Sequence, residues 1–448
     1  MKKRLILYVF LVLIAVVGLS GAALAGFLIQ DDITIEAHTL SGDVSAAEGL
    51  TLTVYAQRNG NLSWGTTFPA TAASQAMTDF TWEAAVAYHP NGVSFSQDAY
   101  LHFSTASLNG TTSTTLENLM EERNRWSDFL IEPIRELARE LAPGEEKTET
   151  VTVADYWEIY PLTLYLNLPN DSTYYDEGET SFLTNYFHIP VPAELTVDIT
   201  VSLEEDGECV QATINPTGEE SYGFCSAELV TAQGIYLGLY SCEPGETVDF
   251  SHIQGGYGIY RIPLPQEDDY ALPVEDIENI LPISAEDVEA VSLLESPWEG
   301  IIEVFTVEQG TLRLRLLEEE TCTVIEDYWL DADTLPTVVQ TEDMLVLLFQ
   351  EEETQRILAY AREDGQYRLW LDTELPLEAY YLSSLNAAFD GSRLALVYPW
   401  GEYASVGTGL LVYDQSGLLY HGQYISSADS NLLQFFSPER PALQWAGH

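Results

Sequence analysis

Three times in its C-terminal part the chain repeats one unit, a succession of three apolar strands, and this repeat restricts the fold more than any other feature. Ile301–Val307, Thr311–Leu317 and Cys322–Tyr328 make the first triplet. Met344–Phe349, Ile357–Ala361 and Tyr367–Trp370 make the second, and Leu394–Tyr398, Gly409–Tyr413 and Leu418–Tyr424 the third. First strands start 43 and then 50 residues apart, second strands 46 and 52, third strands 45 and 51. The offsets move together, as they do when a whole unit recurs. Turn signals agree at Gln309-Gly310, Asp364-Gly365, Asp390-Gly391 and Ser416-Gly417. A period of roughly 40–50 residues with three or four antiparallel strands is that of propeller blades. One blade cannot bury both of its faces, and neighbours in a ring cover them.

The fold class expected is therefore all-β: a β-propeller of about six to eight blades with an inserted helical pair and an N-terminal transmembrane or signal helix. The alternative is a row of two or three β-sandwich domains, whose turns recur at similar spacing. The chain has no WD dipeptide, kelch glycine pair or quinoprotein tryptophan motif. The boundaries read from the sequence are a signal anchor over 1–30, a β segment over 31–112, a helical insertion over 113–146 and a propeller-like body over 147–448.

The N-terminus reads differently. Met1-Lys2-Lys3-Arg4 is basic, and no charged residue occurs from Leu5 to Ile29, a run of 25 residues. As a helix it would measure roughly 37 Å at about 1.5 Å per residue, enough to cross a hydrocarbon core of about 30 Å. Basic residues before the run and Asp31-Asp32 after it place the body outside the cell membrane, single-pass. Ala23-Leu24-Ala25 offers a signal-peptidase site, and cleavage there would make the protein secreted. Phe27-Leu28-Ile29 continues the apolar run past that site and favours a retained anchor.

Beyond position 30 stand 14 of the 17 basic residues and all 71 acidic ones, a formal charge of −57. Such a body repels nucleic acid and anionic lipid, which excludes both as partners. It is not a disordered acidic chain, because 46% of residues are hydrophobic and 11% aromatic. Four cysteines, Cys209, Cys225, Cys242 and Cys322, lie in the exported part, where disulfides are permitted. Cys209 and Cys225 flank a hairpin-like stretch and form the expected pair, with four separate thiols as the alternative. No CxxC or Cys/His cluster suggests zinc.

Residues 114–142 carry helical periodicity through Leu116, Leu119, Met120, Phe129, Leu130, Ile134, Leu137, Ala138 and Leu141. Thr114 and Glu117 have capping-box spacing, Pro133 interrupts the block, and Pro143-Gly144 end it. Arg123, Arg125, Arg135 and Arg139 fall here and read as surface partners of neighbouring glutamates. Residues 263–290, rich in Pro, Asp and Glu, read as a covering loop or short helix.

No catalytic, cofactor-binding or metal-binding residue is assigned, and no cofactor is expected. There is no GxSxG, HExxH, P-loop or GxGxxG, and the one exported lysine, Lys147, sits in a turn-like acidic stretch. None of the seven histidines (His38, His89, His102, His188, His252, His421 and His448) lies within a helical turn of another. Asp171, Asp176 and Glu177 offer oxygen ligands suited to calcium without EF-hand spacing. Glu318-Glu319-Glu320 and Glu351-Glu352-Glu353 read as solvated hairpin tips. Tyr156-Trp157 with Tyr160, Tyr328-Trp329, and Tyr398 with Trp400 and Tyr403 fit either a strand core or a platform for sugar rings.

Four segments carry a resemblance: Asp43-Val44-Ser45-Ala46-Ala47-Glu48-Gly49-Leu50-Thr51, Trp64-Gly65-Thr66-Thr67-Phe68, and Glu146-Lys147-Thr148-Glu149-Thr150-Val151 with Tyr160-Pro161-Leu162. Together with the short anchor, this resembles a group of signal-anchored extracytoplasmic proteins of clostridial bacteria that has no assigned activity. The resemblance implies a Gram-positive cell surface and nothing about chemistry. The function expected is a membrane-anchored extracytoplasmic binding or interaction protein, its partner an envelope protein or a glycan. The alternatives are a glycan-active enzyme using carboxylates and an accessory subunit of a membrane complex.

Overall fold

The computed structural model describes residues 33–58, 62–82, 100–105, 108–121, 130–167, 173–178, 182–217, 225–241, 256–264, 276–284, 286–350, 354–377, 385–400, 407–427 and 442–446. Two compact units divide the chain, Phe95–Leu335 on one side and Met1–Ser94 with Pro336–His448 on the other. The described residues form seven antiparallel sheets.

Four sheets belong to the unit Phe95–Leu335. Sheet I joins Tyr100–Thr105, Leu162–Asn167 and Thr173–Gly178. Sheet II runs Gly110–Thr115, Cys209–Pro216, Thr196–Leu203, Glu146–Thr152, with its two central strands paired as a hairpin. Sheet III is a meander of Cys225–Val230, Ile235–Tyr240, Gly258–Ile262 and Glu278–Pro282. Sheet IV is a meander of Val288–Glu295, Ile301–Glu308, Thr311–Glu318 and Thr323–Trp329.

Three sheets belong to the other unit. Sheet V is the meander Thr337–Gln340, Met344–Gln350, Gln355–Glu363, Gln366–Leu375. Sheet VI continues through Asn386–Phe389, Leu394–Trp400, Gly407–Asp414 and Gly417–Ser426, and gains Ile35–Gly42 as a fifth strand outside the last. Sheet VII takes its first strand, Ala442–Trp445, from the C-terminal region and the others, Leu50–Arg58, Leu62–Pro69 and Met77–Trp82, from the N-terminal region.

The three repeated triplets are the last three strands of sheets IV, V and VI, each preceded by a first strand that the periodicity did not mark. Their apolar runs follow from burial on both faces. In sheet VI, Leu394, Leu396, Leu411 and Tyr413 pack towards sheet V, while Ala395, Val397, Leu410 and Val412 pack towards sheet VII. Sheet III divides in the same way. Tyr236 and Ile259 meet Val291, Leu293, Ile302 and Val304 of sheet IV, and Leu237, Leu239 and Tyr260 join the core shared with sheets I and II. The tight hairpins need positive φ at both central residues, and Gln309-Gly310 (50° and 69°) and Asp364-Gly365 (52° and 81°) supply it.

The helical block contains α1 (Leu116–Met120) and α2 (Ile131–Glu140), and a third short helix, α3, spans Phe182–Phe187. Pro133 does not interrupt a helix. It is the third residue of α2, in the first turn, where its missing N–H has no intrahelical partner to lose. The cap of α1 is Thr115, the last residue of its strand in sheet II, which accepts from the Asn118 amide at 3.2 Å; Thr114 lies one residue further back, paired to Val210. Leu119, Leu130, Ile134, Leu137 and Ala138 all face the core of their own unit. Arg135 is buried rather than a surface partner. Its Nε donates to the Leu119 carbonyl at 2.7 Å, satisfying an open carbonyl in the last turn of α1, and it also pairs with Glu132. Arg123 and Arg125 lie outside the described residues.

Two further expectations are corrected. Cys209 and Cys322 are free thiols and Cys225 is disulfide-bonded, so Cys209 and Cys225 are not a pair. Cys209 pairs with Thr115 in sheet II and Cys225 with Tyr240 in sheet III, so they never shared a hairpin. The remaining cysteine, Cys242, lies outside the described residues. The stretch 263–290 contains strand rather than only loop or helix. Glu278–Pro282 forms the outer strand of sheet III, where Pro282 is tolerated at an edge, and Val288 opens sheet IV. Among the described residues no helix is long and apolar enough to cross a membrane. The run Leu5–Ile29 lies outside them.

Candidate functional site

Among the described residues, a linked network of charges lies on one face of sheet IV. Strand alternation puts Arg313 and Arg315 on the same face, and the register sets Arg313 between Thr306 and Trp329, and Arg315 between Val304 and Asp327. The Arg313 fork donates from Nε and Nη2 to both Asp327 oxygens, at 2.8 and 2.5 Å, and from Nη1 to Glu308 at 2.8 Å. Glu308 also accepts from Arg315 and from the Thr306 hydroxyl, the latter at 2.8 Å. Burial would raise the Glu308 carboxyl, but Arg313, Thr306 and Arg315 outweigh it and hold the carboxyl below its usual range. The Arg313 hydrogen bonds hold Asp327 down as well, and Arg313 itself is firmly protonated.

This network fixes an aromatic ring. The Arg313 guanidinium sits 4.7 Å from the centroid of Trp329, and Trp329 is 57% exposed. An indole left in water but locked by an arginine bonded to two carboxylates has little side-chain freedom left to lose on contact. Val324 (41% exposed) and Ile325 (49%) belong to the same strand. A register shift opposite Leu316 and Leu317 leaves Ile325 as the extra residue, and it returns Val324 to the face of Asp327 and Trp329. Thr323–Trp329 is the last strand of sheet IV, and no described strand pairs with its outer edge.

A second polar cluster lies between sheets III and IV. Thr231 Oγ1 donates to Glu319 at 2.5 Å, with both side chains buried, and receives the Gln233 amide at 3.1 Å. The Cys322 thiol lies 3.6 Å from the Glu319 carbonyl and 3.7 Å from Arg261 Nη1. Burial, with Glu319 nearby, pushes the Tyr236 hydroxyl far upward, so it stays protonated and cannot serve as a base. Glu319 is therefore a buried fastening between sheets rather than the solvated hairpin tip read from the sequence, whereas Glu320 beside it is exposed.

The other residues singled out by sequence are dispersed. Trp157 and Tyr160 are core residues, and Tyr156 is partly exposed and reaches Glu136. Tyr398 is buried and bonds His421 Nε2 at 2.7 Å, with burial pushing the His421 imidazole down. His38 is exposed beside Glu36, and His188 is exposed at φ 45°. Glu303 is buried and accepts from the Ser296 hydroxyl at 3.1 Å. Asp171, His89, His252, His448, Tyr403 and Glu351-Glu352-Glu353 lie outside the described residues, as do the side chains of His102, Asp176, Glu177 and Trp400. Among the described residues no three metal-ligating side chains converge. A cavity of about 210 Å³, lined by Trp370, Asp372, Thr373 and Ser416 between sheets V and VI, is smaller than a typical ligand pocket of about 300–1,000 Å³.

No family model matches the chain, and no curated protein matches it. Among solved structures it is similar to the β-propeller domain of the Trilobed protease from Pyrococcus furiosus, at 14% identity and a TM-score of 0.27, over 62% of this chain and 69% of that one. It is similar to TolB from Acinetobacter baumannii, at 9% identity and a TM-score of 0.26, over 87% and 82%. It also matches Pyrococcus horikoshii acylaminoacyl peptidase, at 11% identity and a TM-score of 0.27, over 61% of this chain and only 36% of that one. Likenesses at these scores carry no argument about activity.

Proposed function

We propose that this chain is a seven-bladed β-propeller, tethered outside the cell by its N-terminal apolar run, that recognises a macromolecular partner of the envelope. Seven antiparallel sheets, five of which pack in series within their own units, support the architecture. Sheet VII, which joins a strand from the C-terminal region to three from the N-terminal region, supports it too. The observation that carries the binding role is Trp329, exposed yet held by Arg313 on a strand whose outer edge no described strand pairs, in an acidic body. Exposed aromatic residues backed by arginine are the side chains that dominate protein recognition.

The accessory-subunit reading drew its weight from an apolar helical stripe, and in the described part of the block that stripe is spent on the core. The test is photocrosslinking of the full chain in its own cells, with a benzophenone amino acid in place of Tyr328. A discrete adduct is the expected result. Absence of any adduct there, and from a second probe in place of Leu369, which is exposed on the last strand of sheet V, overturns the role. Protease treatment of intact cells tests the tether. The body should be digested while the N-terminal run stays with the membrane.

A further inference from the structure

Sheet VI shows what the outside of a sheet in this molecule can accept. Its fourth strand, Gly417–Ser426, carries a fifth, Ile35–Gly42, antiparallel from Ile35 opposite Ser426 to Gly42 opposite Tyr420. The fifth strand comes from the other end of the chain, so the position is filled by a segment that had to be brought there. Sheet IV presents the same position, outside its own fourth strand, with no described strand in it. Exposed edges are ordinarily blunted by lysine, proline or charge turned inward. Thr323–Trp329 holds no lysine and no proline, and it leaves Val324, Ile325 and Trp329 in water. Its blunting devices are the bulge at Ile325 and the carboxylates of Glu326 and Asp327, the latter already engaged by Arg313, and Glu326–Trp329 beyond the bulge is regular.

Resting on the binding role given above, we propose that the outer edge of sheet IV is a strand-addition site. Its occupant is an extended, basic segment of a partner protein, which adds as a fifth antiparallel strand. The charge decides the kind of segment. Glu320, Asp327, Asp331 and Asp333 are exposed along and just beyond this strand, in a chain with a formal charge of −54. Asp327 is already engaged by Arg313, and exposed Glu320 and Asp333 keep the border of the strand acidic, which favours lysine or arginine opposite it. Main-chain hydrogen bonds supply affinity in strand addition, and alternate side chains supply selection. Here the register puts Val324, Asp327 and Trp329 on one face, so the segment must place apolar side chains at alternate positions against Val324 and Trp329. Seven residues at about 3.3 Å each give a contact roughly 23 Å long. The salt dependence follows, because the acidic border is exposed and screened at moderate ionic strength.

The test uses the full chain in detergent and the acetylated octapeptide Lys-Val-Thr-Val-Lys-Val-Thr-Lys, with its glutamate-for-lysine counterpart as control. The readout is amide exchange by mass spectrometry together with tryptophan emission. The basic peptide should slow exchange over 323–329 at least tenfold and leave Ile35–Gly42 unchanged. Trp329→Ala and Val324→Asp should each weaken binding at least tenfold, and raising salt from 50 to 500 mM should weaken it severalfold. Unchanged exchange over Ile301–Glu308 in both variants confirms that sheet IV has kept its fold; if either variant fails this check, Ile325→Thr takes its place. No protection over 323–329, equal binding of the acidic peptide, or binding by Trp329→Ala within twofold of the parent overturns the proposal. So does a concentration-dependent dimer abolished by Trp329→Ala, which would make a second copy the occupant. Loss of the peptide effect and of the Tyr328 adduct in Trp329→Ala, while the Leu369 probe still gives its adduct, removes this edge and leaves the binding role intact.

Discussion

Removing the Arg393 side chain should loosen both ends of the chain at once. Arg393 follows the turn of sheet VI at Asp390-Gly391 and touches three separate segments. Its Nη1 donates to the carbonyls of Ala46 and Glu48, at 2.8 and 3.2 Å, just before Leu50–Arg58 of sheet VII. Its guanidinium lies 4.2 Å from the centroid of Trp445, in the C-terminal strand of the same sheet, and it pairs with Asp390 at 2.7–2.8 Å. Asp390 keeps three other donors, from Ser392 and the Arg393 amide, so the loss falls mainly on the two carbonyls and the indole. With the side chain about a quarter exposed, each bond counts for about 1 kcal/mol after screening, and the ring contact and ion pair add about 1 kcal/mol together, for a total of about 3 kcal/mol. That corresponds to about a hundredfold faster amide exchange when opening is local. Arg393→Ala should therefore accelerate exchange in Ile35–Gly42, Leu50–Arg58 and Ala442–Trp445 together, and leave sheets III and IV as they were. Arg393→Lys, which keeps the charge but not the fork, should fall between. Acceleration below threefold, or confined to one of the three segments, would show that strand pairing alone holds the ends.

Other outcomes follow from single contacts. The ring of buried Tyr398 lies directly across Gly409, so Gly409→Ala should cost about 1–3 kcal/mol in a thermal melt, and Tyr398→Leu in the same chain should recover part of it. His421 is held neutral by burial, its pKa below 6.5 in the folded chain, so its contribution is complete above pH 6.5 and is lost as pH falls through the folded value. His421→Phe should flatten stability against pH between about 7 and 5, and an unchanged slope would assign the titration elsewhere. Under denaturing, non-reducing conditions Cys209 and Cys322 should alkylate, and Cys225 only after reduction; alkylation of Cys225 without reductant would refute its bond. Glu308→Gln should free Arg313 from one of its two carboxylates, lower the anisotropy of Trp329 and red-shift its emission, and a spectrum like the parent's would show that Asp327 alone locks the ring.

The repeat was legible because burial on both faces forces unbroken apolar runs, and such runs at a common spacing survive without any alignment. What could not be read was pairing across distance. Ile35–Gly42 is almost wholly exposed along its length, and nothing in its residues marks a partner nearly 400 positions away. Sheet II hid for the same reason, since Gly110–Thr115 finds Cys209–Pro216 across an intervening helix pair and most of sheet I. The first strands of sheets V and VI are only four residues long, too short to show a period. The cysteines misled because proximity in sequence was taken for a shared hairpin, when the boundary between two sheets falls between Cys209 and Cys225. Trp329 was visible only as half of an aromatic pair with two readings. Its exposure depends on its surroundings in the fold and not on strand order alone, since Trp370 on the fourth strand of sheet V is buried. Arg313, which stacks on Trp329, stands two residues from Arg315 in Thr311–Glu318, a strand otherwise rich in leucine. In a body with 13 arginines among 71 acids, a pair of arginines at strand spacing is thus the sequence signal that separates a built surface from an incidental one.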